Sequence, residues 1–413
     1  LQYHNGMKLK QRPDDFCVEE LTAATTEPSG EFSFYRLDKT GWTTPDALSA
    51  VRRRWQLDFR RLSYGGLKDR HAVTTQYLTI FRGPRRNFTQ ERFSLTYLGQ
   101  RKEAYTSADI SANRFTITIR ALSDTALSQA IHALGEVVET GLPNYFDDQR
   151  FGSVGEPPEF VAQAMVSGNF ERALWLALAA PYDFDRSAAK REKAILRQHW
   201  GDWPTCKAKL PKGHARSLVD YLVTHPNDYK GAVARLRPDL QGLYLAAYQS
   251  YLWNRILAEW LRRNFGADQL RMIRLKLGEV PVPVHISQQQ RSTWAELALP
   301  LPSARIKPPA DAPWLTIVED VLGAEGLTLA EMKIKGLQKP FFARGDRMAC
   351  VQPVNLRHTV AADELNAGLH KIVLCFDLPR GSYATMLVKR ITACTPSTNR
   401  EPGYPPAPQA SET

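Results

Sequence analysis

Over its first 154 residues the sequence predicts an α/β or α+β fold, and three observations lead there. Apolar and polar residues alternate through "TTQYLTIFRG" (74–83) and "NRFTITIRAL" (113–122). Alternation over that length marks half-buried strands with one polar face. Two segments, one before and one after them, have the end signals of helices. In "TTPDALSAVRRRW" (43–55), Thr44 is the expected N-cap, Pro45 sits in the first turn, and the arginines suit the C-terminal dipole. "SDTALSQAIHALGEVVETG" (123–141) opens on Ser123 and closes near Gly141. Finally, "DFCVEELTA" (15–23) alternates early and reads as a further strand, and no internal repeat breaks the pattern.

The chain changes character after Gly152. From about 155 to 200 it reads as helical, ending in the basic run "DRSAAKREKAILRQHW". A long amphipathic helix is expected at "QGLYLAAYQSYLWNRILAEWLRRN" (241–264). The proline-rich stretch 281–313 is expected to hold short strands and loops rather than helix. "KIVLCFDL" (371–378) then reads as a buried strand and "GSYATMLVKRI" (381–391) as a turn into a helix. A late strand and helix after a long middle section suggest an insertion. The expected division is a split core of 1–154 and 346–395, an inserted domain of 155–345 and a flexible tail of 396–413. The 241–264 helix is free to pack on the core.

Charge narrows the function. Fifty-four Lys and Arg stand against 43 Asp and Glu, a formal net charge of +11. Such an excess favours a polyanionic partner, nucleic acid above all. The five cysteines (Cys17, Cys206, Cys350, Cys375, Cys394) are scattered and form no CxxC, and the nine histidines show no paired spacing. Neither a disulfide framework nor a metal site is expected, and a reducing, cytoplasmic setting fits. No stretch of about 18 apolar residues could span a bilayer. "GDWPTCKAKLPKGHARS" (201–217) lacks the Gly-Lys-Ser/Thr of a phosphate loop. No membrane partner is expected, and a monomer is the default.

Five stretches could carry chemistry. In "YGGLKDRHAVTTQ" (64–76), Asp69 stands between Lys68 and Arg70 after a Gly65-Gly66 turn. A cation within about 4–6 Å would keep that carboxylate ionised. Taken alone, the segment reads as a solvated turn carboxylate. In "NRF", Asn113 and Phe115 share a strand face while Arg114 points away. An amide beside an aromatic suits a flat heterocycle, and a core aromatic with a turn Asn is the plain alternative. "NYFDDQRFG" (144–152) packs three aromatics, two acids and an arginine into one loop. "DLPRGSYATMLVKRI" (377–391) presents Ser382 as an N-cap and Tyr383 in a first helical turn. In "RPDDFCVEE" (12–20), Phe16 follows two acids and could equally be core. Basic and aromatic residues also mix in "RRRWQLDFRR" (52–61) and "FRGPRRNF" (81–88), a pattern suited to phosphate contacts or to a solvated surface.

In their order along the chain, "GGLKDRHAVTTQ", "NRF", "NYFDDQRFG", "AAYQSYLWNRIL" and "LPRGSYATMLVKR" resemble the TruD family of tRNA pseudouridine synthases. The resemblance runs from about Phe16 to Ile391. It implies an α+β pseudouridine synthase core with a mixed, largely antiparallel sheet flanked by helices, and an inserted α/β TRUD domain after "QRFG". The implied reaction is isomerisation of uridine to pseudouridine in tRNA, typically at position 13, without cofactor. The family's nucleophile falls on Asp69. Its substrate contacts fall on Phe16, Asn113 and Tyr383, where many relatives have Phe at the last position. Phe115 matches the aromatic near the target base, and Lys68 the basic residue beside the nucleophile.

The implied reaction breaks the bond from uracil N1 to C1′ and rejoins the base through C5. An ionised Asp69 could attack C1′, abstract the 2′ proton or add to C6, and the sequence leaves all three open. Aromatic walls would retain the detached uracil and exclude water. The rival readings are a catalytically weak RNA-binding protein of the same fold, an enzyme acting on RNAs other than tRNA, and a basic α/β metabolic enzyme.

Overall fold

The structure is a computed structural model, and it describes residues 6–182, 185–309, 311–337 and 339–393. The expected tail, 396–413, and Cys394 lie outside the described residues. The chain divides into two compact units. Unit 1 comprises residues 1–135, 354–380 and 388–413, and unit 2 comprises 136–353 and 381–387.

Unit 1 is built on one ten-stranded sheet. Its strands are β1 (Lys8–Leu9), β2 (Phe16–Thr22), β3 (Phe32–Thr40), β4 (Leu62–Tyr64), β5 (Val73–Phe81), β6 (Phe88–Gln90), β7 (Phe93–Arg101) and β8 (Ile110–Leu122). Helix α1 (Thr44–Trp55) lies between β3 and β4, and α2 (Asp124–Thr140) follows β8. The order across the sheet is β6-β7-β3-β5-β2-β8, continued by two strands of residues 370–378 and 354–362. The β2–β5 pair is parallel and its other pairs are antiparallel. The fold is therefore α+β with a mixed, mostly antiparallel sheet.

The alternation seen in the sequence sorts β5 between two cores. Leu78 and Ile80 join Tyr35, Leu37 and Leu95 in a buried cluster capped by Ala47, Leu48 and Val51 of α1. Tyr77 faces Phe34 and Tyr105 in a smaller cluster. The α1 cap is Thr43 rather than the expected Thr44: the Thr43 hydroxyl accepts from the Asp46 N–H at 3.2 Å. Thr44 is instead fully buried and has another use described below.

Unit 2 is mainly helical. It holds β9 (Leu142–Pro143), α3 (Val161–Val166), α4 (Phe170–Leu178), α5 (Ser187–Gln198), α6 (Trp203–Lys209), α7 (His214–Thr224), α8 (Tyr229–Ala234) and the 27-residue α9 (Pro238–Asn264). The hairpin β10 (Leu270–Leu275) and β11 (Gly278–Pro283) follows. Next come α10 (Gln288–Glu296), β12 (Ala298–Pro300), α11 (Leu315–Gly323), β13 (Asp346–Met348) and β14 (Cys350–Val351). Most of 281–313 is short strand and loop, as expected, and the nine-residue α10 is the exception. Ser287 and Gln290 form a reciprocal capping box, and the prolines lie outside the helix. The chain re-enters the large sheet as β15 (Val354–Ala362) and β16 (His370–Leu378) and continues into α12 (Ala384–Thr392).

Candidate active site

Asp69 lies in the loop between β4 and β5, four residues before the parallel β2–β5 pairing begins at Val73. The loop is anchored from below. The buried Thr44 hydroxyl donates to Gln76 Oε1 at 2.8 Å and accepts from the Lys68 N–H at 3.0 Å. Gln76 Nε2 donates to the Gly66 carbonyl at 3.2 Å. The last residue of the "GGLKDRHAVTTQ" motif thus supports the loop from within β5. Gly65 is needed for space rather than for an unusual backbone angle: a Cβ there would lie 2.4 Å from Ile110 Cδ1. Neither Gly65 nor Gly66 has a positive φ.

Lys39 is the third anchor. Its side chain is 2% exposed, and its ammonium donates to the carbonyls of Trp42 (2.9 Å), Asp69 (3.1 Å) and Lys68 (3.4 Å). Burial pulls its pKa down to about 8; the Asp69 charge pushes it up and Lys68 pulls it further down.

The Asp69 carboxylate accepts from Lys10 Nζ at 2.5 Å and from the His71 N–H at 2.9 Å. Burial pushes this carboxyl up, but the Lys10 and His71 hydrogen bonds outweigh it and hold the pKa below the ordinary 3.8. Lys10 Nζ also sits 4.1 Å from the centroid of the Phe16 ring, so one cation joins Asp69 to Phe16. Phe16 is set by its neighbour: Asp15 pairs with the buried Arg120 at 2.8 Å, and Arg120 also holds Asp363 at 3.0 Å.

The cation on Asp69 is therefore Lys10; Lys68, matched to the basic residue beside the nucleophile, adjoins Asp69 in sequence but pairs with another carboxylate. The Lys68 N–H is tied to Thr44. The Lys68 ammonium instead meets Glu20 Oε2 at 3.0 Å and Asn113 Oδ1 at 2.5 Å. Glu20 and Asn113 face each other in register on β2 and β8. Glu20 is fully buried, and its other oxygen accepts from the Tyr105 hydroxyl at 2.8 Å. Burial raises the Tyr105 hydroxyl, which stays protonated and donates. Arg70, on the other side of Asp69 in sequence, is exposed and donates to the Gly41 carbonyl at 3.1 Å.

Phe115 lies 6.4 Å from Phe16, edge to face, and stacks on Phe376 at 5.6 Å. Arg114, on the opposite face, pairs with Asp377 at 2.8 Å. Five of the six sequence-predicted residues (Phe16, Lys68, Asp69, Asn113, Phe115) thus form one connected group in unit 1. Their link through Lys10, Lys39, Glu20 and Tyr105 was not anticipated. Lys39 had a readable signal: Tyr35, Leu37 and Lys39 alternate onto one face, which puts a lysine in the core. Lys10 had none.

The sixth residue, Tyr383, belongs to unit 2. It immediately precedes α12 instead of lying in its first turn, and its carbonyl accepts from the Met386 N–H at 3.0 Å. Its ring meets Phe146 of the "NYFDDQRFG" loop at 6.3 Å, edge to face. Arg347 stacks its guanidinium 4.1 Å from the Phe146 centroid and donates to Asn144 Oδ1 at 2.7 Å and the Gly381 carbonyl at 3.0 Å. Burial lowers its pKa to about 10, partly offset by Tyr383. The Thr385 hydroxyl donates to buried Asp147. The "NYFDDQRFG" loop and the "GSY" turn are thus locked to each other. A cavity of about 450 Å³ in unit 2, lined by residues such as Glu159, Arg172 and Glu325, contains none of the motif residues.

The model of the family described as "tRNA pseudouridine synthase D (TruD)" matches residues 3–391. The chain belongs to the TruD family. It is a tRNA pseudouridine synthase, an isomerase. A Methanocaldococcus jannaschii protein named "Probable tRNA pseudouridine synthase D 2" is 30% identical over 93% of this chain and 91% of its own length. The Aquifex aeolicus "tRNA pseudouridine synthase D" is 27% identical over 93% of this chain and 98% of its own. Among solved structures, the TruD crystal structure from Methanosarcina mazei superposes with a TM-score of 0.70 at 26% identity, covering 93% of both chains. Among the described residues, no helix is long and apolar enough to cross a membrane.

Proposed function

We propose that Asp69 is the nucleophile that isomerises uridine to pseudouridine at position 13 of tRNA. The observation that supports this most is the Asp69 carboxylate, ionised by Lys10 and the His71 N–H and placed by Lys10 beside the Phe16 ring. A carboxylate held below its ordinary pKa is fully charged at neutral pH, as all three routes for the reaction require. The target uridine must first leave its stack, which costs a few kcal/mol and is offset by stacking and hydrogen bonds in the pocket.

Phe16 and Phe115 supply the aromatic surface for the base. Asn113 reads a base edge or the ribose, and Lys68 fixes its amide by holding Oδ1, leaving the NH₂ free to donate. Tyr383 is assigned as a further substrate contact on its motif. Lys10 and Lys39 position the nucleophile from its two sides. Residues 155–345 are read as the domain inserted into the synthase core, the enzyme acts as a monomer, and the reaction takes no cofactor.

The reading is tested by incubating a tRNA transcript with the protein and mapping pseudouridine by carbodiimide labelling. A single new pseudouridine at position 13 is the expected result. A pseudouridine elsewhere would overturn the position, and none at all would overturn the activity on this substrate.

A further inference from the structure

Two basic stretches separated in sequence, 52–61 and 81–88, fold into one surface of unit 1. They contain eight arginines (Arg52, Arg53, Arg54, Arg60, Arg61, Arg82, Arg85, Arg86) and one acid, Asp58. The pairing of β4 with β5 sets Leu62 opposite Ile80, so the residues just before β4 meet those just after β5. Arg61 closes the junction by donating to the Phe81 carbonyl at 2.8 Å and to the Arg82 carbonyl. On the other side, Trp55 at the end of α1 packs on Phe88 with centroids 5.8 Å apart, which brings the 52–54 arginines toward the 85–86 turn. Asp58 caps its own turn by accepting from the Arg60 N–H, and Arg82 is paired with Glu31.

Arg52, Arg53, Arg54, Arg60, Arg85 and Arg86 are exposed, and among the described residues none makes an ion pair. Phe59, 48% exposed, stands among them. A helix C-terminus favours cations, but that accounts only for the 52–54 run and not for Arg60 or the 85–86 turn. Six unpaired arginines drawn from three chain segments make a positive field with no internal counter-charge, and such a field suits a phosphate backbone.

The placement of this surface says which kind of RNA it fits. Asp69 precedes β5 and Arg82 follows it, and β5 is nine residues long. At about 3.3 Å per residue, Arg82 lies about 30 Å from the Asp69 loop. The α1 arginines lie nearer: Arg53 is about 14 Å along the helix from Thr44, which accepts from the Lys68 N–H of that loop. The target nucleotide alone cannot span to the whole surface. We infer that the 52–61 and 81–88 arginines form a second docking surface for the sugar-phosphate backbone of a long folded RNA, separate from the pocket that takes the target uridine. The inference rests on the RNA-modifying reading above.

The test compares the parent with the variant Arg53→Glu/Arg54→Glu/Arg85→Glu/Arg86→Glu. Whole tRNA and a short stem-loop carrying the target uridine both serve as substrates, and tRNA affinity is measured across salt concentrations. The slope of log affinity against log salt is expected to fall by about 0.9 per lost duplex phosphate contact, about 3.6 for four contacts. On whole tRNA, kcat/KM is expected to fall at least 10-fold, with the stem-loop rate unchanged. Four Arg→Gln changes at the same positions give a smaller loss with the same substrate dependence, and stand in should charge reversal impair folding. An unchanged slope and rate on tRNA, or an equal loss on both substrates, overturns the second surface alone. A parent that neither binds nor modifies tRNA overturns the functional reading itself.

Discussion

The Asp69 loop and the arginine surface sit at opposite ends of β5, and they treat charge in opposite ways. Around Asp69 the charged side chains are matched: Lys10 with Asp69, Lys68 with Glu20 and Asn113, and Lys39 with three carbonyls. On the arginine surface six guanidinium groups have no acidic partner among the described residues. Half-buried, matched charges fix a geometry before substrate arrives, which is what a reacting centre needs. Exposed, unmatched charges fix nothing and stay available to a partner. The first region should respond to substitution in rate and pH profile, the second in salt dependence and substrate length.

The largest effect short of Asp69 itself is expected from Lys10. Lys10→Met leaves Asp69 half-buried without its cation, and kcat should fall by about 10²–10³-fold. The acid limb should also move. Asp69 is held below 3.8 in the folded protein, so its ionised form, and the stability gained from it, are lost only as the pH drops through that lowered value. Without Lys10 the burial contribution dominates, and the limb should shift to higher pH. An unmoved limb would separate Lys10 from the nucleophile.

A smaller effect is expected at Glu20. Glu20→Gln removes the charge that orients Lys68, and with it the fixed Asn113 amide. The expected result is a roughly 10-fold loss in kcat/KM that does not add to that of Lys68→Met, as for residues of one network. Full additivity would show that the two do not act as a unit.

The smallest effect concerns Lys39, and it sets activity against stability. Its folded pKa of about 8 lies below the unfolded 10.5, so between these values the unfolded chain binds more protons. Stability from this group therefore rises with pH over that window. Activity should fall over the same window, a few-fold by pH 9, because the neutral amine has fewer protons to donate to three carbonyls. Lys39→Arg, which stays charged, should carry the alkaline limb upward. Parallel loss of activity and stability would contradict this role.

Much of this was legible in the sequence, for physical reasons that differ by residue. Strands β5 and β8 declared themselves because apolar and polar residues alternate along them, which period-two patterning reports directly, although both faces carry buried residues: Leu78 and Thr79 on β5, Ile119 and Arg120 on β8. The motif residues Asp69, Asn113 and Phe16 stood out by resemblance. Their wiring did not, because an ion pair such as Lys10–Asp69 joins residues 59 apart through tertiary packing. Thr44 was misread as a cap because Thr43 and Thr44 are equally good cap chemistry, and only burial separates them. Helix α10 was hidden by the prolines around it, although its Ser287 and Gln290 spacing is a readable start signal.

The central claim, that Asp69 performs the chemistry, is tested most directly by Asp69→Asn. Pseudouridine formation and tRNA affinity should be measured on the same preparation. Asn is nearly isosteric and its single oxygen can still accept from the His71 N–H, although it gives up the Lys10 pair, so binding should stay within about threefold of the parent, well under 1.4 kcal/mol. Pseudouridine should fall to background. A variant that binds tRNA and still forms pseudouridine at the parental rate would contradict the assignment.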